Sequence, residues 1–227
     1  MMKQETVNKS QLLSKYIKRL IEQGEHQHLD FKFEISDSKK IARTFSAFAN
    51  TGGGKLLVGV KDNGVIAGIR TEEEVYMIES AADIYCRPPV KYSTKKWFVE
   101  GKWILEVTIE ESRKKPHYAR NDDGRWLAYL RVEDQNLLAN RILIRVWKNK
   151  TRKRGVFLKY SDAEERILQY LRENNKVTLS EFIKTAKINK SRAENILVSL
   201  ISIGILEMEF TEKEVYYKLK EKVNMNL

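Results

Sequence analysis

Three carboxylates stand where divalent-cation chemistry could be built: Glu25, Asp30 and Asp62. Glu25 opens a polar loop, Asp30 lies where charged and apolar residues alternate, and Asp62 begins an Asp-Asn-Gly turn. Mg²⁺ and Mn²⁺ are hard cations that prefer such oxygen ligands. A cation held there could activate water against a phosphodiester. Taken alone, the residue types favour a plainer role. Asp and Asn are ordinary turn residues, and Asp30 could pair with Lys32 or a neighbouring strand.

A second candidate is Gly52-Gly53-Gly54-Lys55, whose free N–H groups and lysine could cradle a phosphate, that of ATP included. It is not a P-loop, because GxxxxGK[ST] is absent and the order is helix then strand. The same glycines serve a helix C-terminus. His26, His28 and His117 are the only histidines. Without cysteine or further histidine near them they are expected to make hydrogen bonds or face solvent, not to bind metal.

The third candidate is basic. Lys187, Lys190, Ser191, Arg192 and Asn195 crowd a turn and the first part of the helix after it. In a helix-turn-helix that end enters the major groove, where Arg reads guanine and Asn reads adenine. Arg152, Lys153 and Arg154 lie in the densest basic run, residues 141–159, which also holds Trp147 and suits non-specific phosphate contact.

These side chains depend on the elements that carry them. Residues 10–23 have apolar positions at helical spacing (Leu12, Leu13, Tyr16, Ile17, Leu20, Ile21), closed by Gly24. Residues 29–34 alternate like a strand. Asp37-Ser38 caps a helix over 39–50 with Ile41, Ala42, Phe45, Phe48 and Ala49 on its apolar face. A strand over 56–60 comes after the glycines, and Asp62-Asn63-Gly64 turns it into a second strand over 65–69. A helix over 71–84 ends at Arg87-Pro88-Pro89. Residues 90–99 and 102–109 form a hairpin across Glu100-Gly101, and 126–132 is a further strand. Then the pattern changes. Ser161-Asp162-Ala163-Glu164 is a capping box opening a helix to 174. A shorter helix covers 178–186, a third ends at Gly204, and strands at 205–210 and 215–219 close the chain. Helix, helix, helix, hairpin is the order of a winged helix-turn-helix.

The whole chain of 227 residues carries a formal net charge of +11. That excess favours polyanionic partners, nucleic acid before acidic membrane. A 42% hydrophobic content suffices for a core. The one cysteine, Cys86, excludes a disulfide framework and suits a reducing cytoplasm. No apolar run reaches the ~18 residues of a membrane span, and the N-terminus lacks a signal-peptide core. The expectation is a cytoplasmic protein without a membrane role.

Ser46-Ala47-Phe48-Ala49-Asn50-Thr51-x-Gly53-Gly54, followed by Leu57-x-Gly59-Val60-x-Asp62-x-Gly64, resembles the signature of the Schlafen-type, Alba-like domain. Glu25 with Leu29-Asp30-Phe31-Lys32 is similar to that family's E-x4-EFK element. Lys115-Pro116-His117 resembles its KPH loop, and Tyr129-x-Arg131-Val132 with Asn136 and Ala139 its closing segment. The resemblance spans roughly residues 10 to 145. It implies an α+β fold with a mixed sheet and flanking helices, followed here by the winged helix-turn-helix. The expected division is 1–150 for the first domain, 151–156 for a basic linker and 157–222 for the second. Bacterial members are taken to be regulators, which implies a DNA-binding transcriptional regulator, with DNA ahead of RNA as partner and no obligatory cofactor. Animal members cleave RNA with metal-bound carboxylates, which carries over to Glu25, Asp30 and Asp62, with Asp30 shorter than the family's usual Glu. This is the alternative of a Mg²⁺- or Mn²⁺-dependent endoribonuclease. Those enzymes clamp RNA between two copies of the domain, which a homodimer could restore. Some members are labelled ATP-binding, the third reading.

Overall fold

The computed structural model describes residues 14–69, 72–150 and 161–220. The chain divides into two compact units, Met1–Ala139 and Asn140–Leu227.

The first unit is organised around one helix, α2 (Ser38–Asn50). It is capped by the Asp37 side chain, which accepts from the Lys39 N–H at 2.8 Å. The expected apolar stripe is present, but nine of the thirteen residues are buried. One stripe does not bury that many, so the helix packs on two sides. On one side lies a sheet of β1 (Leu29–Lys32), β2 (Gly54–Val58), β5 (Lys102–Ile109) and β4 (Tyr92–Val99), in the order β1-β2-β5-β4. The β1–β2 pair is parallel, with Asp30 opposite Leu56, and the other pairs are antiparallel. On the other side lies an antiparallel sheet of β3 (Cys86–Arg87), β6 (Tyr118–Arg120), β7 (Trp126–Val132) and β8 (Gln135–Leu138). The helix α3 (Glu73–Asp83) joins the core of Phe45, Phe48, Val58, Ile78 and Val107. Burying each of the two phenylalanines contributes about 1.5–3 kcal/mol.

The far face of the first sheet is covered by α1, described over residues 14–23. Ile17 is fully buried there with Phe31, Leu57, Trp97 and Ile104. Leu12 and Leu13 lie outside the described residues. The expected strand over 65–69 is reduced to one bridge, Val60 to Ile66. Gly59 and Gly68 both adopt left-handed backbone angles (φ +93° and +84°). These turn the segment off the ladder, so that the Ile69 N–H reaches the Trp103 carbonyl at 2.7 Å.

The second unit contains α4 (Arg141–Lys150), α5 (Asp162–Glu173), α6 (Leu179–Ala186) and α7 (Lys190–Ser202). The strands β9 (Val177–Thr178), β10 (Leu206–Phe210) and β11 (Val215–Leu219) form a small sheet ordered β10-β11-β9. The helices and closing hairpin follow the expected order. The capping box at Ser161 is present, and Thr178 with Glu181 makes another. The boundary lies earlier than expected, between residues 139 and 140 rather than near 150. The reason is α4: Ile142 and Val146 share the core of Ile167, Leu171, Leu197 and Leu200. Residues 141–150 are therefore a packed helix of the second unit, and Trp147 on it is buried. Residues 151–156 lie outside the described residues, Arg152, Lys153 and Arg154 among them. Among the described residues no helix is long and apolar enough to cross a membrane.

Candidate functional site

Two of the three carboxylates come together. Asp30, only 3% exposed, accepts from Arg131 Nη2 at 3.1 Å. Its other oxygen lies 2.9 Å from Lys32 Nζ, an ion pair without hydrogen-bond geometry. Arg131 is equally buried. It spreads its guanidinium between Asp30, the Leu29 carbonyl (3.3 Å) and Asn136 Oδ1 (3.1 Å), over the Phe48 ring. The charge near the end of β7 thus neutralises the charge in β1. Removing one partner of such a pair typically costs about 3–5 kcal/mol, because the other is left buried and uncompensated. Glu25 reaches the same place from the loop, accepting the Phe31 N–H at 2.8 Å. Burial, and then the neighbouring Asp30 carboxylate, hold its carboxyl above the usual carboxylate range.

Asp62 is exposed, in the turn closed by the Gly64 N–H to Lys61 carbonyl bond. Asp30 is level with Leu56 in β2. The strand runs on from there only to Val58, about 7 Å at ~3.3 Å per residue, before Gly59 bends the chain toward the turn. Among the described residues no three His, Cys, Asp or Glu side chains are grouped to hold a metal ion. Asp30 is moreover held by two cations of the chain itself. The structure thus brings Glu25 and Asp30 together and does not group Asp62 with them.

The glycine turn is closed from within. Gly53, at φ +73°, gives its N–H to the Phe48 carbonyl at 2.9 Å, and a Cβ there would lie 2.7 Å from the Ile109 carbonyl oxygen. A Cβ on Gly54 would stand 2.5 Å from the Phe48 ring. The Gly52 N–H bonds the Glu111 carboxylate, which its hydrogen bond to Lys115 holds below the usual range. The Lys55 N–H goes to the His28 carbonyl at 2.8 Å, and its ammonium pairs with Glu106. The N–H groups of Gly52, Gly53 and Lys55 thus have partners, and the glycines let the chain pass between α2 and β5. A groove of about 450 Å³ runs beside them, lined by Leu20, His26, His28, Lys55 and Glu111 among others. His28 Nδ1 bonds the Gly53 carbonyl at 2.9 Å.

The Ser46 to Asn50 part of the motif is a polar seam between α2 and the second sheet. Asn50 Nδ2 donates to the carbonyls of His117 and Tyr129 (both 2.9 Å), and its Oδ1 accepts the His117 N–H at 2.8 Å. Ser46 Oγ donates to the His117 carbonyl at 2.8 Å and accepts the Tyr129 N–H at 3.1 Å. The His117 ring lies between the Pro88 carbonyl (2.9 Å, Nδ1) and Ser112 Oγ (2.8 Å, Nε2). A carbonyl only accepts, so Nδ1 carries the proton. Burial holds the ring below its ordinary pKa.

The sequence pattern did not single out Glu106, which β5 buries among apolar neighbours. It accepts from Tyr16 (2.8 Å), Trp97 Nε1 (2.7 Å) and Lys55. Burial alone would raise its pKa, but these donors outweigh burial and lower it. A lone carboxylate in a run such as Ile104-Leu105-Glu106-Val107 was the available signal, as Arg131 was in Leu130-Arg131-Val132.

The basic candidates of the second unit do converge. Lys187 ends α6 with left-handed backbone angles. Asn189 caps α7, accepting the Arg192 N–H at 2.9 Å. Lys187, Lys190, Ser191, Arg192 and Asn195 are all exposed, while Ala193, Ile196, Leu197 and Leu200 on the same helix are buried. Arg192 Nη2 rests on Ser161 Oγ at 3.2 Å, and Asn195 Oδ1 accepts from Arg145 at 2.6 Å. Arg145, from α4, joins the cluster although sequence reasoning placed it in another domain.

Comparison with known proteins bears on the first unit. The family model described as Schlafen, AlbA_2 matches residues 25–140. The chain belongs to this family. The match takes in Glu25, Asp30, the glycine turn, His117 and Arg131, so the Schlafen, AlbA_2 region coincides with the two-sheet unit around α2. Family membership points to nucleic-acid binding. Among solved structures, the chain is similar to the DIP2311 protein from Corynebacterium diphtheriae, with 17% identity and a TM-score of 0.43. That match covers 63% of this chain and 33% of the other, so this chain spans about a third of that protein's length. It is also similar to the N-terminal domain of a RecG-related protein from Nitrosomonas europaea, at 22% identity and a TM-score of 0.38. Here 55% of this chain and 95% of the other are covered. No curated protein matches significantly.

Proposed function

We propose that the protein is a DNA-binding transcriptional regulator whose second unit acts as a winged helix-turn-helix. The observation that carries this reading is the exposed Lys187, Lys190, Ser191, Arg192 and Asn195 cluster at the start of α7, set against a separate buried face of that helix. Three helices followed by a hairpin, the net charge of +11 and membership of the Schlafen, AlbA_2 family support it. On this reading α7 lies in the major groove. Arg192 and Asn195 read bases, Lys187 and Lys190 hold phosphates, and β10–β11 is the wing. Arg192 and Asn195 exchange Ser161 and Arg145 for base edges on binding. Both contacts are at the surface and in water, where a hydrogen bond contributes only about 0.5–1.5 kcal/mol net. The first unit is a scaffold that holds a further partner or the DNA backbone.

The test is binding of the full chain to a randomised duplex pool, with enrichment and sequencing. A defined preference that Arg192→Ala relaxes at one position, by about 1–3 kcal/mol, supports the proposal. Equal weakening on all duplexes would demote Arg192 to a phosphate contact. No enrichment even at low salt would remove the reading.

A further inference from the structure

The β4–β5 hairpin ends in an aromatic pair that takes no part in the core of the first unit or in its polar seam. Phe98 and Trp103 are cross-strand partners. Their ring centroids lie 5.1 Å apart, and they are 56% and 50% exposed. Alternation along the strands puts Trp97, Val99 and Ile104 under α1 and turns Phe98 and Trp103 to the opposite face. There they gain no cover. Half-exposed tryptophan and phenylalanine side by side mark a contact surface rather than a scatter of surface residues. The strand that carries Phe98, β4, is also the outer strand of its sheet. One flank of the pair is therefore an open edge, where a flat ligand can approach.

The charge beside the pair points to the ligand. Of Lys91, Lys95, Lys96 and Lys102, strand alternation puts Lys96 on the face of the pair, while Lys95 lies over Trp97 on the other face. Lys96 is on the same face as Phe98, two residues away. Its ammonium pairs with the exposed Glu72 at 2.5 Å, a surface ion pair that a phosphate displaces at little cost. Lys102, opposite Val99, belongs to the other face and donates to the Ile66 carbonyl at 2.8 Å. A duplex keeps its base faces stacked inside. We propose that the β4–β5 hairpin is a stacking platform for single-stranded nucleic acid: unpaired bases lie on Trp103 and Phe98, and Lys96 holds the phosphate between them. Every base has a π-face, so the site is sequence-tolerant. It is separate from α7 and does not depend on the duplex-reading proposal.

The experiment is fluorescence anisotropy of the full chain with labelled 12-mers: oligo-dT, oligo-U, and an abasic strand of equal length that has phosphates without bases. Stacking on aromatic side chains contributes ~1–3 kcal/mol per base, about 5- to 150-fold in Kd. The half-exposed rings suit the lower part of that range. The Phe98→Ala/Trp103→Ala variant is expected to bind oligo-dT and oligo-U at least 5-fold more weakly, and the abasic strand as the wild type does. Trp103→Phe should recover most of the loss. Thermal denaturation of each variant checks that the fold is retained, which the exposure of both rings favours. Unchanged Kd in the double variant overturns the proposal, as does equal weakening on the abasic strand. Trp103-dependent self-association in sedimentation, with no single-strand binding, would assign the face to a second copy and also overturn it.

Discussion

Asn50 tests whether the most recognisable motif of this chain is architecture or chemistry. It is 2% exposed, at the last turn of α2. Its side chain serves the His117 N–H (2.8 Å), the His117 carbonyl (2.9 Å) and the Tyr129 carbonyl (2.9 Å). In Asn50→Ala the His117 carbonyl keeps its bond from Ser46 Oγ. The His117 N–H and the Tyr129 carbonyl lose this partner in a place water does not reach. At about 1–3 kcal/mol for each of the two buried groups so left, the expected loss is about 2–6 kcal/mol. Asn50→Asp keeps the acceptor but removes both donors, and should be no better. The assay is urea denaturation followed by tryptophan fluorescence, which favours the first unit because Trp97, Trp103 and Trp126 lie there and only Trp147 lies in the second. With a urea slope of about 2 kcal/mol per M, the midpoint should fall by about 1–3 M. A loss under ~1 kcal/mol, together with lost ligand binding, would refute the reasoning and return Asn50 to a functional site.

The same geometry sets further outcomes. Gly53→Ala puts a Cβ against the Ile109 carbonyl at left-handed angles, and should destabilise the first unit by about 2 kcal/mol or more in the same urea titration. Burial keeps the His117 ring neutral in the folded chain, so its folded pKa lies below the ordinary 6.5. As pH falls from 6.5 toward that folded value the unfolded chain takes up the proton first, and stability declines across that window. His117→Gln should flatten that part of the pH–stability profile. Glu106 acts at lower pH: with its folded pKa below 4.5, its contribution is full above that value and is lost as pH falls through the folded pKa. Glu106→Gln should remove this acid-range dependence. Asp62→Ala should leave both the urea midpoint and any nucleic-acid cleavage by the full chain with Mn²⁺ unchanged. Loss of a Mn²⁺-dependent cleavage in that variant would revive the three-carboxylate site.

Much of the fold was legible where one local rule governs a segment. The Asp37 cap and the Ile41, Phe45, Phe48 spacing mark α2, and Glu100-Gly101 marks the β4–β5 turn. The illegible parts depend on distant partners. The Ser46 and Asn50 side of α2 carries no apolar stripe, yet it is buried, because its polar groups are met by His117 and Tyr129 far along the chain. Asp30 could have faced a metal or a cation. Its partner in the fold, Arg131, lies 101 residues away and could not be read from the local pattern. The strand expected at residues 65–69 failed because the glycines at 59 and 68 bend it away, and a hairpin signal at Asp62-Asn63-Gly64 does not fix the path of the chain beyond the turn. Residues 141–150 read as part of a basic run because their charges are conspicuous, whereas their placement is set by Ile142 and Val146. The α7 cluster was legible because its exposed polar residues and its apolar face separate on one helix, with Glu194 as the one buried charge.

The most direct test of the regulator proposal is sequence preference in the full chain. Wild type, Arg192→Ala and Lys190→Ala are compared on an enriched duplex and on a scrambled one, from low salt to about 0.2 M. The expected result is a preference for the enriched duplex that Arg192→Ala erases at one base. Lys190→Ala should weaken both duplexes alike and reduce the log–log salt slope by about one. Equal affinity of the wild type for the two duplexes at every salt concentration would contradict the assignment of α7 as the reading helix.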